Sequence, residues 1–121
     1  MSETVVVLGA SPKPERYSHR AVTLLQAKGH HVIPVNPGQS FINELPVARN
    51  LGEISQPVDT VSIYVSPDLL DRMMNDLITL APKRVIFNPG SERDDLSSRL
   101  NAAGIANEEA CTLVLLRTGQ F

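Results

Sequence analysis

The first loop of the chain carries residue types that bind phosphate. Gly9 follows the apolar run Val5–Leu8, and a helical pattern begins at Ser18. A glycine between a strand and a helix lets a phosphate approach backbone N–H groups and the positive end of the helix. The loop differs from the dinucleotide-binding pattern G-x-G-x-x-G, because it has one glycine and because Pro12 and Pro14 lack amide hydrogens. Side chains must therefore help to bind an anion, and four are available: Lys13, Arg16, Tyr17 and Ser18.

The net charge of the chain conceals a basic segment. The chain has 11 Lys and Arg against 13 Asp and Glu, a net charge of −2, but residues 13–31 contain four cations and one acid, Glu15, a local excess of +3. A solvated basic helix face would have the same composition. The position of the excess, directly after the glycine loop, favours an anion site. The acidic balance and the aromatic content of 4% weigh against nucleic acid or an anionic membrane as a partner.

Three further loops follow predicted strands. In an open parallel sheet, ligands bind beyond the carboxyl ends of the strands, where such loops meet. Two of the loops, residues 36–38 and 88–90, read Asn-Pro-Gly, which is also a common turn sequence. The position around Asn36 lacks the Asp or Glu that an NAD-binding fold places there for the ribose. NAD is therefore disfavoured, whereas a phosphorylated ribose, as in coenzyme A or NADP, is tolerated.

Short β-branched runs alternate with helical patterns, which predicts an α/β fold with a doubly wound parallel sheet and helices on both faces. Four strands are predicted, at residues 5–8, 32–35, 61–65 and 84–87. Three helix starts are predicted: Ser18 as an N-cap, Ser66 as an N-cap followed by Pro67, and Ser91 with Asp94 as a capping box. Pro34 removes a ladder donor from the second strand, which indicates a bulge or an unpaired position.

The middle and the end of the chain are less regular. Residues 38–57 are predicted as a connector with one helical turn around residues 47–51. The tail has two interpretations. Either residues 105–108 form a fifth strand with residues 111–117 folded over it, or residues 111–116 are themselves the strand.

Cysteine and histidine usage restricts the chemistry. The single cysteine, Cys111, cannot form an internal disulfide, which favours a reducing compartment. The first residues do not resemble a signal peptide, and no segment approaches the ~20 apolar residues of a membrane span, so we expect a cytoplasmic protein. His19, His30 and His31 lack metal-ligand spacing, and no catalytic constellation is evident. An enzymatic role is therefore not the first expectation.

Two segments carry a resemblance to a known family. The runs at residues 7–18 and 32–37 look like those of small predicted CoA-binding proteins, and residues 58–61 and 104–114 also fit. The fold of that family is similar to the CoA-binding domain of the succinyl-CoA synthetase alpha subunit. The resemblance implies a Rossmann-like sheet of about five strands in the order 3-2-1-4-5, with coenzyme A lying across its carboxyl edge.

The resemblance also implies a place for each part of the ligand. The pyrophosphate would meet Gly9, Ala10, Ser11 and the helix start at Ser18, with cationic contacts from Lys13 and Arg16. The adenosine would lie near Asn36, Pro37, Val65, Ser66 and Pro67. The pantetheine path would be flanked by Asn88, Pro89 and Gly90, where many relatives have a Gln-Leu-Gly type of loop.

These observations predict that residues 1–121 form a single domain that binds coenzyme A or an acyl-CoA as a non-catalytic binding, carrier or sensor module, as a homodimer or a partner subunit. The alternatives are an NADP-type dinucleotide binder and a small enzyme acting on a CoA thioester.

The phosphorylated histidine of the synthetase belongs to a separate domain that does not fit within this length. Cys111 is either an inert buried residue or, if it lies just past the last strand, a partner for a mixed disulfide with the CoA thiol.

Overall fold

A computed structural model describes residues 2–121. The chain forms a five-stranded sheet covered by four helices, with a small hairpin and a 3-10 turn inserted after the second strand. In chain order the elements are β1 (Thr4–Leu8), α1 (Tyr17–Ala27), β2 (His31–Val35), β3 (Phe41–Ile42), β4 (Leu45–Pro46), the 3-10 turn (Leu51–Glu53), β5 (Thr60–Ile63), α2 (Pro67–Leu80), β6 (Arg84–Phe87), α3 (Asp94–Ala102), β7 (Ala106–Glu109) and α4 (Thr112–Arg117).

The five long strands are all parallel and lie in the order β2-β1-β5-β6-β7. Helices cover both faces, so the central strands are buried on both sides, and this explains why they read as continuous apolar runs rather than as alternating patterns. Within β1, Val5, Val6 and Val7 are fully buried. The predicted α/β, Rossmann-like fold is confirmed.

The strand order depends on a short pairing beside β2. Ala48 forms a parallel bridge with Val35, donating its N–H to Pro34 O and accepting from the Asn36 N–H, both at 3.0 Å. Counted as a third strand, this segment gives the expected 3-2-1-4-5 pattern, followed by β7. The run at residues 61–65 is then the fourth strand and pairs with β1. The Pro34 carbonyl accepts from Ala48 and thus faces away from β1, so the missing Pro34 N–H removes no hydrogen bond between β1 and β2.

The two faces of the sheet have separate cores. Helices α2 and α3 pack on one face, and α1 and α4 on the other. The α2/α3 face buries large side chains of both helices: Leu70, Met74, Leu77, Leu96 and Leu100. The α1/α4 face buries a smaller group, which includes Val5, Val7, Val22, Leu25 and Leu116. No helix within residues 2–121 is both long enough and apolar enough to cross a membrane.

One of the three predicted helix caps is confirmed. The Ser66 hydroxyl accepts from the Leu69 N–H at 3.2 Å, with Pro67 in the first helical position. The N-cap role of Ser18 is wrong, because α1 begins one residue earlier and Ser18 lies inside its first turn. The capping role of Ser91 is also wrong, because α3 begins at Asp94 and the Ser91 hydroxyl donates to Asn88 O at 2.7 Å.

The irregular segments are resolved as follows. The first interpretation of the tail is confirmed, since β7 is a strand and the residues after Cys111 form α4. Residues 38–57 hold the hairpin β3–β4 rather than a connector alone, and their single helical turn lies at Leu51–Glu53, later than the predicted 47–51. The hairpin turn uses Asn43 and Glu44, both with positive φ.

Candidate functional site

A cleft of about 320 Å³ opens at the carboxyl edge of the sheet, between the loop after β1 and the end of β5. Seven residues line it: Gly9, Ser11, Lys13, Arg16, Tyr17, Ser18 and Tyr64. The first six are positions predicted from the sequence, and Tyr64 is not. We refer to these seven residues as the anion cleft. The other predicted positions do not line it.

Gly9 is required by the close approach of the first loop to the end of β5. Its φ is +88°, a conformation that side-chain-bearing residues rarely adopt. A Cβ at this position would lie 2.8 Å from Val65 Cγ1 and 3.1 Å from the Tyr64 carbonyl carbon. The glycine therefore lets the chain turn sharply while it packs against the neighbouring strand end.

The backbone amides of the first loop are used within the fold. The Gly9 and Ala10 N–H groups both donate to Val35 O at 3.1 Å, and the Ser11 N–H donates to Ser18 Oγ at 3.1 Å. These bonds hold the loop against β2 and against the first turn of α1. They also mean that the three amides are already engaged before any ligand arrives.

The free donors lie at the start of α1 instead. Among residues 2–121, the N–H groups of Tyr17, Ser18 and His19 have no hydrogen-bond partner, as expected for the first turn of a helix. Ser18 is buried and orients this turn through its bond to Ser11. Unpartnered amides at a helix N-terminus form an anion-binding site.

Two exposed cations stand beside these amides. The turn that carries them is closed by the Lys13 N–H donating to Ser11 Oγ and by the Arg16 N–H donating to Lys13 O, both at 3.1 Å. Neither the Lys13 nor the Arg16 side chain forms an ion pair within the described part of the chain. His19 donates from Nδ1 to Ser11 O at 2.9 Å, which fixes its ring against the loop.

Tyr64 is the cleft residue that sequence reasoning missed. It follows β5 directly, and its N–H donates to Leu8 O at 2.8 Å. Its hydroxyl is buried and has no hydrogen-bond partner within residues 2–121. Burial, with a smaller contribution from the nearby Cys111, raises the pKa of Tyr64 to about 12, so the phenol is protonated at neutral pH. A residue directly after a strand belongs to the ligand edge, but residue 64 was predicted as part of the strand.

Asn36 braces the first loop from the end of β2. Its Nδ2 donates to Ala10 O at 2.8 Å, and its Oδ1 accepts from the Gly38 N–H at 2.7 Å. The amide thus links the loop after β1 to the turn after β2. Pro37, the next residue, is exposed.

Asn88 lies at the end of β6, and its side chain forms hydrogen bonds within the fold. It is 2% exposed, and its Nδ2 donates to Ser62 Oγ and to Ile63 O at 2.8 and 2.9 Å. Its Oδ1 accepts from the Thr112 N–H at 2.8 Å. Its side chain therefore joins β6, β5 and the start of α4. Pro89 and Gly90 are exposed, and the Gly90 N–H donates to the Glu92 carboxylate.

Cys111 is half-buried and follows β7, immediately before α4. It therefore lies just past the carboxyl end of the last strand and close to Tyr64. Within residues 2–121, no three His, Cys, Asp or Glu side chains come together as a metal site.

A parallel sheet whose first strand leads through a glycine turn to a cationic helix N-terminus defines a Rossmann-like ligand-binding domain. Residues 3–117 match the CoA binding domain family, and the chain belongs to that family. The uncharacterized protein YneT of Bacillus subtilis is 33% identical over 63 residues, which are 52% of this chain and 47% of YneT. The match thus covers about half the length of this relative.

Two solved structures illustrate the range of the fold. The crystal structure of an uncharacterized protein is 35% identical with a TM-score of 0.94, and the match covers 100% of this chain and 99% of that one. The dinucleotide-forming acetyl-coenzyme A synthetase 1 of Ca. Korarchaeum cryptofilum is 21% identical with a TM-score of 0.76. That match covers 87% of this chain but 25% of the synthetase, and it shows a shared fold.

Proposed function

We propose that residues 1–121 act as a single domain that binds coenzyme A or an acyl-CoA in the anion cleft, as a carrier or sensor that does not transform the ligand. The observation that carries this proposal is the convergence of Lys13, Arg16 and the free first-turn amides of α1 on one cleft at the carboxyl edge. Membership of the CoA binding domain family supports the choice of ligand.

In this proposal the pyrophosphate lies against the start of α1. The amides of Tyr17, Ser18 and His19 supply donors along the helix axis, and Lys13 and Arg16 supply charge. Gly9, Ala10 and Ser11 contribute by close approach and by shaping the loop, because their own amides bond to Val35 and Ser18. Their role is thus to keep the cleft in a binding-competent form.

The side chains around the cleft favour binding over catalysis. The Tyr64 phenol is protonated at neutral pH and is therefore a hydrogen-bond donor, not a base. The Nδ1 of His19 is committed to Ser11 O, and the Ser18 hydroxyl is committed to the Ser11 N–H. This arrangement holds and orients an anion and offers no pair of groups set to exchange a proton with it.

Thermal shift with coenzyme A, acetyl-CoA, NADP and NAD tests the ligand. We expect the two CoA compounds to raise the Tm and NAD to leave it unchanged, since a ligand at about 100 times its Kd stabilises the folded state by about 2.7 kcal/mol. Mass spectrometry of nucleotides released from the denatured protein gives an independent reading. No stabilisation by either CoA compound at millimolar concentration, or a larger shift with NADP, would overturn the proposal.

Three variants test the site. Lys13→Ala and Arg16→Ala should each weaken CoA binding by about three- to tenfold, because each removes a charge-assisted contact. Lys28→Ala removes the same charge at the opposite end of α1 and should leave the affinity unchanged. Equal losses in all three variants would indicate general electrostatics rather than a site.

A direct assay tests the non-catalytic role. Acetyl-CoA incubated with the protein should release no more free thiol than the buffer does. Hydrolysis that Tyr64→Phe abolishes would assign a catalytic function to the cleft and refute the carrier or sensor role.

A further inference from the structure

A second concave surface lies beside the anion cleft, between α1 and α4. This groove has a volume of about 400 Å³. Its lining combines apolar with basic side chains: Leu24, Ala27 and Leu113 are apolar, Arg20 and Arg117 are cationic, and Pro14, His19 and Thr23 complete it. We refer to these eight residues as the α1/α4 groove. None of the predicted site residues lines it.

The charges of the two arginines of the groove are not neutralised by carboxylates of the described part of the chain. Neither Arg20 nor Arg117 forms an ion pair within residues 2–121. Arg20 lies over the ring of Tyr17, with 5.4 Å between the guanidinium carbon and the ring centroid. Residues 13–28 and 112–117, which form this surface, contain Glu15 as their one carboxylate. The surface is therefore complementary in charge to an acidic partner.

The two helices that line the groove also carry exposed apolar side chains. Val114 on α4 is 51% exposed and Tyr17 at the start of α1 is 68% exposed. Arginine and tyrosine around a small apolar centre are the composition enriched in protein interfaces. An interfacial membrane helix instead inserts several large apolar residues from one exposed face, whereas Leu113 and Leu116 of α4 are buried within the fold.

We propose that the α1/α4 groove binds an acidic amphipathic segment of a partner protein. Carboxylates of the segment pair with the forked guanidinium groups of Arg20 and Arg117, a geometry that favours carboxylate. Apolar side chains of the segment cover Leu24 and Leu113. This inference does not rest on CoA binding, because Arg20 and Arg117, which carry it, have no role in that proposal. The two proposals share Tyr17 and His19, whose backbone amides are assigned to the pyrophosphate.

A labelled synthetic peptide is the probe. The acidic peptide has ~14 residues, with leucine at helical spacing on one face and glutamate elsewhere. A second peptide has lysine in place of glutamate, and a third has the acidic composition with the leucines scattered around the helix. Fluorescence anisotropy measures affinity, and amide chemical shifts locate the site. We expect the acidic amphipathic peptide to bind more tightly than both controls and to shift amides of α1 and α4.

Charge reversal tests the two arginines. The double variant Arg20→Glu/Arg117→Glu should bind the acidic peptide at least about tenfold more weakly, since it replaces two attractions by repulsions. Two control variants change the charge at other places. Arg72→Glu, on the exposed surface of α2, makes half of the charge change, and Arg72→Glu/Lys83→Glu makes the full change. Both control variants should keep most of the affinity. A Tm measured with coenzyme A on the same double variant reports separately on the anion cleft.

Four outcomes overturn the proposal. They are absence of peptide binding at millimolar concentration, equal binding of the lysine or scattered peptide, shifts confined to other elements, and an equal loss in the control variants. Phosphatidylglycerol vesicles form a separate arm. Binding to these vesicles through Arg20 and Arg117, without binding to the peptide, would assign the groove to a lipid surface instead.

Discussion

The two faces of the sheet differ in how they handle charge. On the α2/α3 face, Arg93 pairs with Asp68, Asp71 and Asp95, and Arg99 pairs with Asp71. On the α1/α4 face, the cations of the first loop, α1 and α4 form no ion pairs within the described part of the chain. One face thus neutralises its charge internally, whereas the other leaves it available to bind anions.

The buried interiors of the two faces also differ in polarity. The α2/α3 core is built from large aliphatic side chains and Phe87. Beneath α4, by contrast, three buried polar residues are hydrogen-bonded to one another. The Ser62 and Thr112 hydroxyls are 2.8 Å apart, and the Asn88 side chain bonds to both residues. We therefore expect stability to be concentrated on the α2/α3 face and binding on the α1/α4 face. The predictions that follow test this division.

The largest expected effect comes from the α2/α3 core. Leu70→Ala removes a fully buried side chain and should lower the free energy of unfolding by about 2–5 kcal/mol. The affinity of the folded protein for coenzyme A should be unchanged. Urea denaturation and calorimetric titration measure the two quantities.

Leu69→Ala is the matched control, because Leu69 precedes Leu70 but is 40% exposed. It should cost less than about 1 kcal/mol. Equal costs for the two substitutions would show that α2 does not carry the stability assigned to its buried face.

The next effect comes from the polar group beneath α4. Asn88→Ala removes the side chain that bonds to Ser62, Ile63 and Thr112, and it should cost about 2–3 kcal/mol because it leaves buried groups without partners. Asn75→Ala, at an exposed position on α2, should be nearly neutral. A small cost for Asn88→Ala would return this residue to the ligand role that the sequence suggested.

Asn88 also illustrates what the sequence could and could not predict. Strands were predictable because burial on both faces demands continuous apolar runs, and Ser66 was predictable because a cap followed by proline acts locally. The partners of Asn88 lie 24 to 26 residues away along the chain, so an Asn-Pro-Gly sequence looks like an ordinary turn whether its amide meets a ligand or the core.

Competing tertiary contacts explain the other differences. Ser18 and Ser91 are residue types that cap helices, but their hydroxyls bond to Ser11 and Asn88 instead. The hairpin β3–β4 has strands of two residues, too short for any alternation, and its turn lacks glycine. Six of the seven residues of the anion cleft were predicted, because the glycine turn and the cations that follow it are local features of the sequence.

A smaller effect is expected at the glycine of the cleft. Gly9→Ala should cost about 2 kcal/mol, because it combines an unfavourable φ with a close contact to Val65. Gly104→Ala has a similar φ of +75° but open space around its Cβ, and should cost about 1 kcal/mol.

Gly9→Ala should also weaken CoA binding, because its Cβ shifts the loop that holds Lys13 and Arg16. Gly104→Ala should leave binding unchanged. Equal CoA affinities in the two variants, measured by calorimetry, would show that CoA binding does not depend on the loop geometry that Gly9 sets.

The smallest expected effect tests whether the ion pairs of the α2/α3 face stabilise the fold. On this face, the hydrogen bonds that Arg93 donates to Asp95 hold the pKa of the Asp95 carboxyl below its ordinary value of 3.8. A depressed pKa in the folded state adds stability above the unfolded value, and this stability is lost as the pH falls through the folded value. The Tm of Asp95→Asn should therefore lie slightly below that of the parent near neutral pH, and the difference should shrink as the pH falls below 3.8. Glu109→Gln, which removes a carboxylate without an ion pair within residues 2–121, is the control for the loss of one negative charge. A Tm difference for Asp95→Asn that is independent of pH would mean that the ion pairs of this face neutralise its charge without stabilising the fold.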